Sequence, residues 1–281
     1  MSTPLLDIAG LGKTYGGGMF SRRIVRAVDR VDLTLSADRP EIFAVIGESG
    51  SGKTTLSRMI LNMIAASEGA IRFRGRDLRD IRSRRDRLAF MSHVQPIFQN
   101  PFEAFNPLKR IDRYLFSSAR RFMRSRSRAD IEARADEALR KVGLSLVEVR
   151  GRYPHELSGG QLQRVAIARA LVSNPALIVA DEPVSMIDAS LRMTIVNLFK
   201  ALRDEAGVSI IYITHDLATA YYISDRLIIM QKGKVVERGD ARAILSNPTH
   251  PYSIQLRQSV LSVDAAWQDG PAFGAASSST E

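Results

Sequence analysis

The sequence predicts an α/β fold, a parallel sheet alternating with helices and interrupted by a helical subdomain. Three observations point there. The runs "IFAVIG", "ALIVADEP" and "SIIYITH" are short, rich in β-branched residues, and end in glycine, acidic or polar groups, as buried parallel strands do. Stretches with helical spacing follow two of them: "TTLSRMILNMI" after the first and "DASLRMTIVNLFKALRDEAG", with a stop at Gly207, after the second. From about Pro101 to Glu156 helix formers take over, as in "RADIEARADEALRKVGL" with Gly143 as its cap. Near the end, "DRLIIMQKGKVVERG" reads as a hairpin turning at Lys232 and Gly233. Beyond it, "QDGPAFGAASSSTE" is small and polar enough to be a disordered tail. No internal repeat is visible.

Composition narrows the class. A chain of 281 residues with 45% hydrophobic and 25% charged residues has the balance of a globular protein with a sizeable core. Its longest apolar runs fall far short of the roughly 18 to 20 residues a membrane helix needs. The opening "MSTPLLDIAG" has neither a basic nor an apolar leader region, so no secretory signal is expected. The absence of cysteine excludes disulfides, thiolate metal sites and cysteine nucleophiles, and fits a reducing, cytosolic compartment. A formal charge of +10 concentrates in Arg72 to Arg87 and Arg120 to Arg128. It suits a nucleic acid, an anionic membrane surface, an anionic ligand or simply a solvated basic face, and charge alone does not choose among them.

The chemistry-bearing residues sit at strand ends. "GESGSGKT", Gly47 to Thr54, has the phosphate-loop spacing of glycine, four residues, glycine, lysine and threonine, between a strand and a helix. Its glycines let backbone N–H groups converge on phosphate oxygens, Lys53 brings a cation, and Thr54 can ligate Mg²⁺ at a helix start that favours anions. Asp181 and Glu182 close the apolar strand "ALIVADE". One carboxylate there can hold a metal shell while the other polarises water. His215 ends another strand and can donate to a phosphate or serve a structural role. Gln99 in "PIFQNP" is unremarkable alone, and Tyr15 in "KTYGGG" reads as an aromatic in a glycine-rich loop. In "YPHELSGGQLQR", Ser158 is a good N-cap, with Gly159 and Gly160 exposing N–H groups at the start of "QLQRVAIARALVS". That makes a second anion site, one more than a single nucleotide obviously needs.

In this order the phosphate loop, "FQNP", "LSGGQ", "IVADEP", "SMID" and "THD" resemble the ATP-binding subunit of an ABC transporter, over about Leu5 to Leu256. The resemblance implies a P-loop NTPase core with an antiparallel β subdomain and an inserted helical subdomain. An ATPase domain would span 1–260, with the helical part at about 101–160 and a tail at 261–281. It implies ATP and Mg²⁺ as cofactors and two ATPase subunits that sandwich two nucleotides head to tail, so that the second loop serves the partner's nucleotide. Tyr15 would stack on adenine, and Gly47, Glu48, Ser49, Gly50, Ser51, Gly52, Lys53, Thr54 and Thr55 would wrap the phosphates. Gln99 would sense Mg²⁺ and the membrane subunit. Ser158, Gly159, Gly160 and Gln161 would close over the opposite γ-phosphate. Asp181 would support the metal together with Thr54 and Gln99, Glu182 the water, Asp188 the link between sites, and His215 the γ-phosphate. "SMID" departs from the family's pattern by Ile187 for leucine, a conservative change.

"YPHELSGGQ", "IFQNPFEAFNP" and "NPTHPYSIQL" resemble the oligopeptide and dipeptide importer branch, whose members also take nickel or short oligosaccharides. The implied partners are a second ATPase subunit, identical or not, two permease subunits and, indirectly, an extracytoplasmic solute-binding protein. The implied place is the cytoplasmic face of the inner membrane. The permease contact is expected near Phe98 to Pro107, with Phe102 and Phe105 partly exposed. A soluble ABC-type ATPase acting on nucleic acid is the alternative that the basic charge keeps open. Relatives with a cysteine cluster after the "HPY" segment can hold an iron–sulfur cluster, which this cysteine-free chain cannot do there.

Overall fold

The computed structural model describes residues 3–16, 24–123 and 127–258. The tail expected at 261–281 lies outside the described residues. Among the described residues, ten strands form two sheets. In the first, β1 (Leu6–Tyr15), β2 (Val25–Leu35), β4 (Glu68–Phe73) and β5 (Arg76–Asp77) pair antiparallel in the order β2-β1-β4-β5. The second has the order β10-β9-β3-β8-β7-β6. Its members are β3 (Ile42–Ile46), β6 (Val94–Ile97), β7 (Leu177–Asp181), β8 (Ser209–Thr214), β9 (Arg226–Gln231) and β10 (Lys234–Asp240). All of these pair parallel except β10, which turns back on β9 through Lys232 and Gly233, both at positive φ, as the hairpin reading expected.

The uninterrupted apolar runs of β3, β7 and β8 follow from burial on both faces. Ile178, Ala180, Ile210 and Tyr212 point into one core, while Leu177, Val179, Ile211 and Ile213 point into the other. The second core lies between the two sheets and takes Leu56, Met59 and Ile60 from α1 (Lys53–Ile60). The first takes Val165, Ile167 and Ala168 from α6 (Gly159–Leu171) and Ile195, Val196 and Phe199 from α7 (Ala189–Asp204).

The same core runs on into the helical subdomain. There α3 (Ile111–Phe122), α4 (Arg128–Arg140) and α5 (Leu146–Val149) contribute Leu115, Ala119, Ile131, Ala135, Leu139 and Val149. Ser127 caps α4 by accepting from Asp130 N–H, and Ser145 with Glu148 makes a capping box on α5. Gly143 takes the left-handed conformation after α4, as its place in the sequence suggested. Three further helices are α2 (Arg84–His93), α8 (Leu217–Ile223) and α9 (Ala241–Ser246), and residues 251–258 are helical as well.

Three expectations need correction. The helix after the phosphate loop stops at Ile60, because Asn62 turns into the left-handed region at φ 54°. Tyr15 ends β1 rather than sitting in a loop. Phe105 is core, 3% exposed with its ring edge against Tyr114, whereas Phe102 is half exposed. None of the helices among the described residues is long and apolar enough to cross a membrane.

The ring of Phe199 is fully buried against Tyr212, centroids 5.9 Å apart. Phe199→Ala should cost about 3 to 5 kcal/mol of stability through the cavity it leaves. Urea unfolding followed by circular dichroism reads that loss directly.

Candidate functional site

The strand register brings the site together. Ile46 pairs with Thr214, and Ile213 pairs with Asp181, so β3, β8 and β7 end side by side. The phosphate loop, Glu182 and His215 therefore leave the sheet at one end, the usual side for ligands in such sheets.

The phosphate loop is backed by its own chain. A Cβ on Gly47 would lie 2.3 Å from the Met230 carbonyl oxygen, and one on Gly52, at φ 106°, would lie 2.2 Å from that of Ala27. Only glycine fits at either position. The Ser51 carbonyl accepts Gly233 N–H at 2.9 Å, which ties the loop to the β9–β10 turn. Opposite this backing the loop is open. The N-cap residue Gly52 offers α1 no side chain, and the first turn of α1 carries no acid. Its leading N–H groups are therefore left for an anion. Ser51 Oγ is buried and lacks a partner among the described residues.

Lys53 is the pivot of the loop. The residue is 5% exposed, and its Nζ donates to the Gly47 and Glu48 carbonyls at 2.7 and 2.8 Å. Burial pushes the ammonium below its ordinary value, against the pull of Glu182, Asp181 and Glu48. Burial likewise pushes the Asp181 carboxyl up, against the hydrogen bonds of Ser57 and Thr54 and the charge of Lys53, while Glu182 adds to the rise. A dehydrated cation and a dehydrated carboxylate at the loop fit a phosphate carrying a divalent metal.

Three more expected residues meet next to them. Glu182, at φ 47° and with its N–H on the Ile213 carbonyl, accepts from Gln99 Nε2 at 3.1 Å. Its Oε2 also lies 3.3 Å from His215 Nδ1. A glutamate in the left-handed region stores strain of the kind that collects at working sites. Tyr15 is 43% exposed, with Lys13 Nζ 5.2 Å from its ring centre.

The second loop is built but stands apart. Ser158 Oγ accepts Gln161 N–H at 3.2 Å, and Gln161 Oε1 accepts Ser158 N–H at 3.0 Å. A Cβ on Gly159 would meet nothing within 4 Å, so that face is open, whereas one on Gly160 would lie 2.8 Å from Leu191 Cδ1. No described hydrogen bond or ion pair joins Ser158, Gly159, Gly160 or Gln161 to the phosphate loop of the same chain. Asp188, exposed at the start of α7, uses its carbonyl within the helix, and its carboxylate makes no described bond.

Two positions escaped the sequence reading. Ser57 Oγ faces Asp181 Oδ2 and the Thr54 carbonyl, each at 3.0 Å, and the only trace of this in the sequence is its place one helical turn after Lys53. Gln163 is fully buried, and its Nε2 donates to the Pro183 carbonyl at 2.8 Å. That bond ties the helix of the second loop to the segment carrying Glu182.

A phosphate loop at one strand end, with paired carboxylates and a histidine at the next two, defines a nucleotide-hydrolysing P-loop protein. The comparisons give the family. The model of the ABC transporter family matches residues 29–185. The oligopeptide transport ATP-binding protein OppF of Salmonella typhimurium is 41% identical over 238 residues, 85% of this chain and 70% of that protein. OppF of Bacillus subtilis is 37% identical over 260 residues, 92% of this chain and 83% of that one. Among solved structures, the dimeric post-hydrolysis form of the ATP-binding cassette MJ0796, bound to ADP and Pi, superposes with a TM-score of 0.74 at 28% identity. It covers 84% of this chain and 99% of that one. The chain belongs to the ABC transporter family, among the ATP-binding subunits of its oligopeptide and dipeptide transport branch, and is an ATP-hydrolysing ATPase of that kind.

Asp181 gives a pH-dependent signature. Its proton is held more tightly folded than unfolded, so no penalty exists below its ordinary value of 3.8; the penalty grows as pH rises from there to the raised folded value and is constant above it. Asp181→Asn should therefore melt higher than the wild type at pH 7 without nucleotide, and the difference should shrink as pH falls. Paired thermal melts across pH 4 to 8 check this.

Proposed function

We propose that this chain binds Mg²⁺-ATP between its phosphate loop and the second loop of a partner ATPase subunit, and that closure of that pair powers import of peptides through two permease subunits. The observation that carries the reading is the self-capped, open-faced helix start at Ser158 to Gln161, which no described bond connects to the phosphate loop of its own chain. A second anion-ready helix end aimed at no ligand of its own chain makes sense when the nucleotide belongs to a neighbour. The peptide cargo rests on the relatives, which are oligopeptide transport ATP-binding proteins. Membrane attachment is then peripheral, through the permeases, with half-exposed Phe102 near the contact.

Each residue has a part. Gly47, Glu48, Ser49, Gly50, Ser51 and Gly52 bring backbone groups around the β- and γ-phosphates, Lys53 neutralises them, and Thr54 and Thr55 hold them at the start of α1. Tyr15 stacks on the base. Thr54, Gln99 and Asp181 hold the metal, which when bound supplies positive charge to the phosphate oxygens. Glu182 orients and polarises the attacking water. His215, within reach of the same carboxylate oxygen as Gln99, donates towards the γ-phosphate. Ser158, Gly159, Gly160 and Gln161 close over the partner's γ-phosphate, and Asp188 joins the two sites. Closure is electrostatically favoured because each triphosphate lies between two positive helix ends.

Two variants test the reading. Lys53→Ala should weaken ATP binding at least tenfold; unchanged affinity by equilibrium titration would remove the phosphate-loop assignment. Glu182→Gln should keep ATP bound while lowering turnover by about 10²-fold or more, and light scattering should find it as an ATP-dependent dimer. Normal turnover in that variant would mean that another group handles the water.

A further inference from the structure

The phosphate loop is also held from a distant part of the chain. Glu48 N–H donates to the Tyr252 hydroxyl oxygen at 2.9 Å, across 204 residues. This N–H belongs to the peptide group whose carbonyl, on Gly47, accepts Lys53 Nζ at 2.7 Å. In a planar trans peptide the N–H and C=O point opposite ways, so fixing one fixes the other. The next carbonyl, on Glu48, takes a second N–H of the same ammonium at 2.8 Å and Ser51 N–H at 3.2 Å. An ammonium has three N–H groups. With two committed to carbonyls in set positions, the third has a fixed direction.

Tyr252 is itself held in place. The residue is 6% exposed and packs with Ala44, Ile46, Leu217 and Ala220. The stretch before it is bound to β10, where Glu237 Oε1 accepts Thr249 N–H at 2.8 Å and Thr249 Oγ1–H at 2.9 Å. Burial works to raise the Glu237 carboxyl, but the hydrogen bonds it accepts, the two from Thr249 among them, outweigh it and hold the group below its ordinary value. The prolines at 248 and 251 stiffen the same stretch. The tyrosine hydroxyl is thus delivered to the loop by a segment that charge-assisted hydrogen bonds anchor to β10.

We propose that Tyr252 is a positioning residue of the nucleotide site: it sets the Gly47–Glu48 peptide and, through it, the direction in which the Lys53 ammonium meets phosphate. The proposal rests on the phosphate-loop reading above. It makes the "NPTHPY" segment part of the nucleotide machinery rather than a trailing connection.

The test is Tyr252→Phe in the full chain, which removes one hydroxyl and keeps the buried ring. The dissociation constant for ATP and the KM of the ATPase should each rise fivefold to tenfold, about the worth of one hydrogen bond, while kcat falls less than twofold. A purely structural tyrosine would lower the melting temperature and leave the ATP constant within twofold of wild type, and that result overturns the proposal. Should Tyr252→Phe prove insoluble, Thr249→Val loosens the anchor while sparing the hydroxyl. It must then raise the same constant at least twofold, and an unchanged constant overturns the proposal equally. The wild-type titration separates the two levels: a wild type that binds no ATP sinks the phosphate-loop reading, whereas a binding wild type with an indifferent Tyr252→Phe sinks only the role of Tyr252.

Discussion

A lysine ammonium nearly closed off from water is the constraint around which this molecule is arranged. An unpaired buried charge is among the most expensive things a fold can contain. Lys53 is made tolerable by two carbonyl acceptors and by the field of Asp181 and Glu182. The carbonyls and the acids come from two distant parts of the chain. The carbonyls require a loop that curls tightly enough to face the ammonium, hence Gly47 and Gly52 with backbone where a Cβ would be. The acids require β7 to end level with β3 across β8, which the parallel register provides. A fold that satisfies this lysine has placed a cation, a buried carboxylate and free helix-start amides at one end of the sheet.

What remains unsatisfied is as informative. Asp181 is held above its ordinary value, Ser51 Oγ has no partner among the described residues, and Glu182 sits at φ 47°. These are local conflicts of the kind that a ligand resolves and that a chain selected for stability alone would lose. The second loop shows the opposite economy: Ser158 and Gln161 satisfy each other, and the glycine face beside them stays open. Gln163 then links the two halves of the design within one chain, because its bond to the Pro183 carbonyl runs from the helix of the second loop to the residue after Glu182. On the function proposed above, a shift of that helix on binding a neighbour's nucleotide has a short path to Glu182.

Much of this was legible in the residues, and the parts that were not share a cause. Strands β3, β7 and β8 are continuous apolar runs, the phosphate loop has a fixed spacing, and Ser158 is followed by Gln161 at the capping-box distance. Those signals are local. The antiparallel sheet was not readable in the same way, because β1 and β2 mix exposed and buried residues and their pairing is broken by register shifts. Phe102 and Phe105 look alike in sequence, yet one is half exposed and the other buried against Tyr114, a difference set by a partner nine residues further on. Ser57 and Tyr252 are ordinary residue types whose meaning lies in what they touch, 124 and 204 residues away.

The antiparallel sheet and the C-terminal hairpin have a common purpose once the back of the phosphate loop is considered. The Ala27 carbonyl on β2 blocks any side chain at Gly52, and the Met230 carbonyl on β9 does the same at Gly47. The hairpin turn accepts Asp29 N–H at Gly233 O and donates Gly233 N–H to Ser51 O. Tyr252 closes the remaining side through Glu48 N–H. A glycine-rich loop left to itself would be the most mobile stretch of the chain, since glycine gives up the most conformational freedom on ordering. Here that freedom is removed from outside the loop by three elements: β2, the β9–β10 hairpin and Tyr252. The loop is therefore ordered before any phosphate arrives, and binding need not supply the ordering energy.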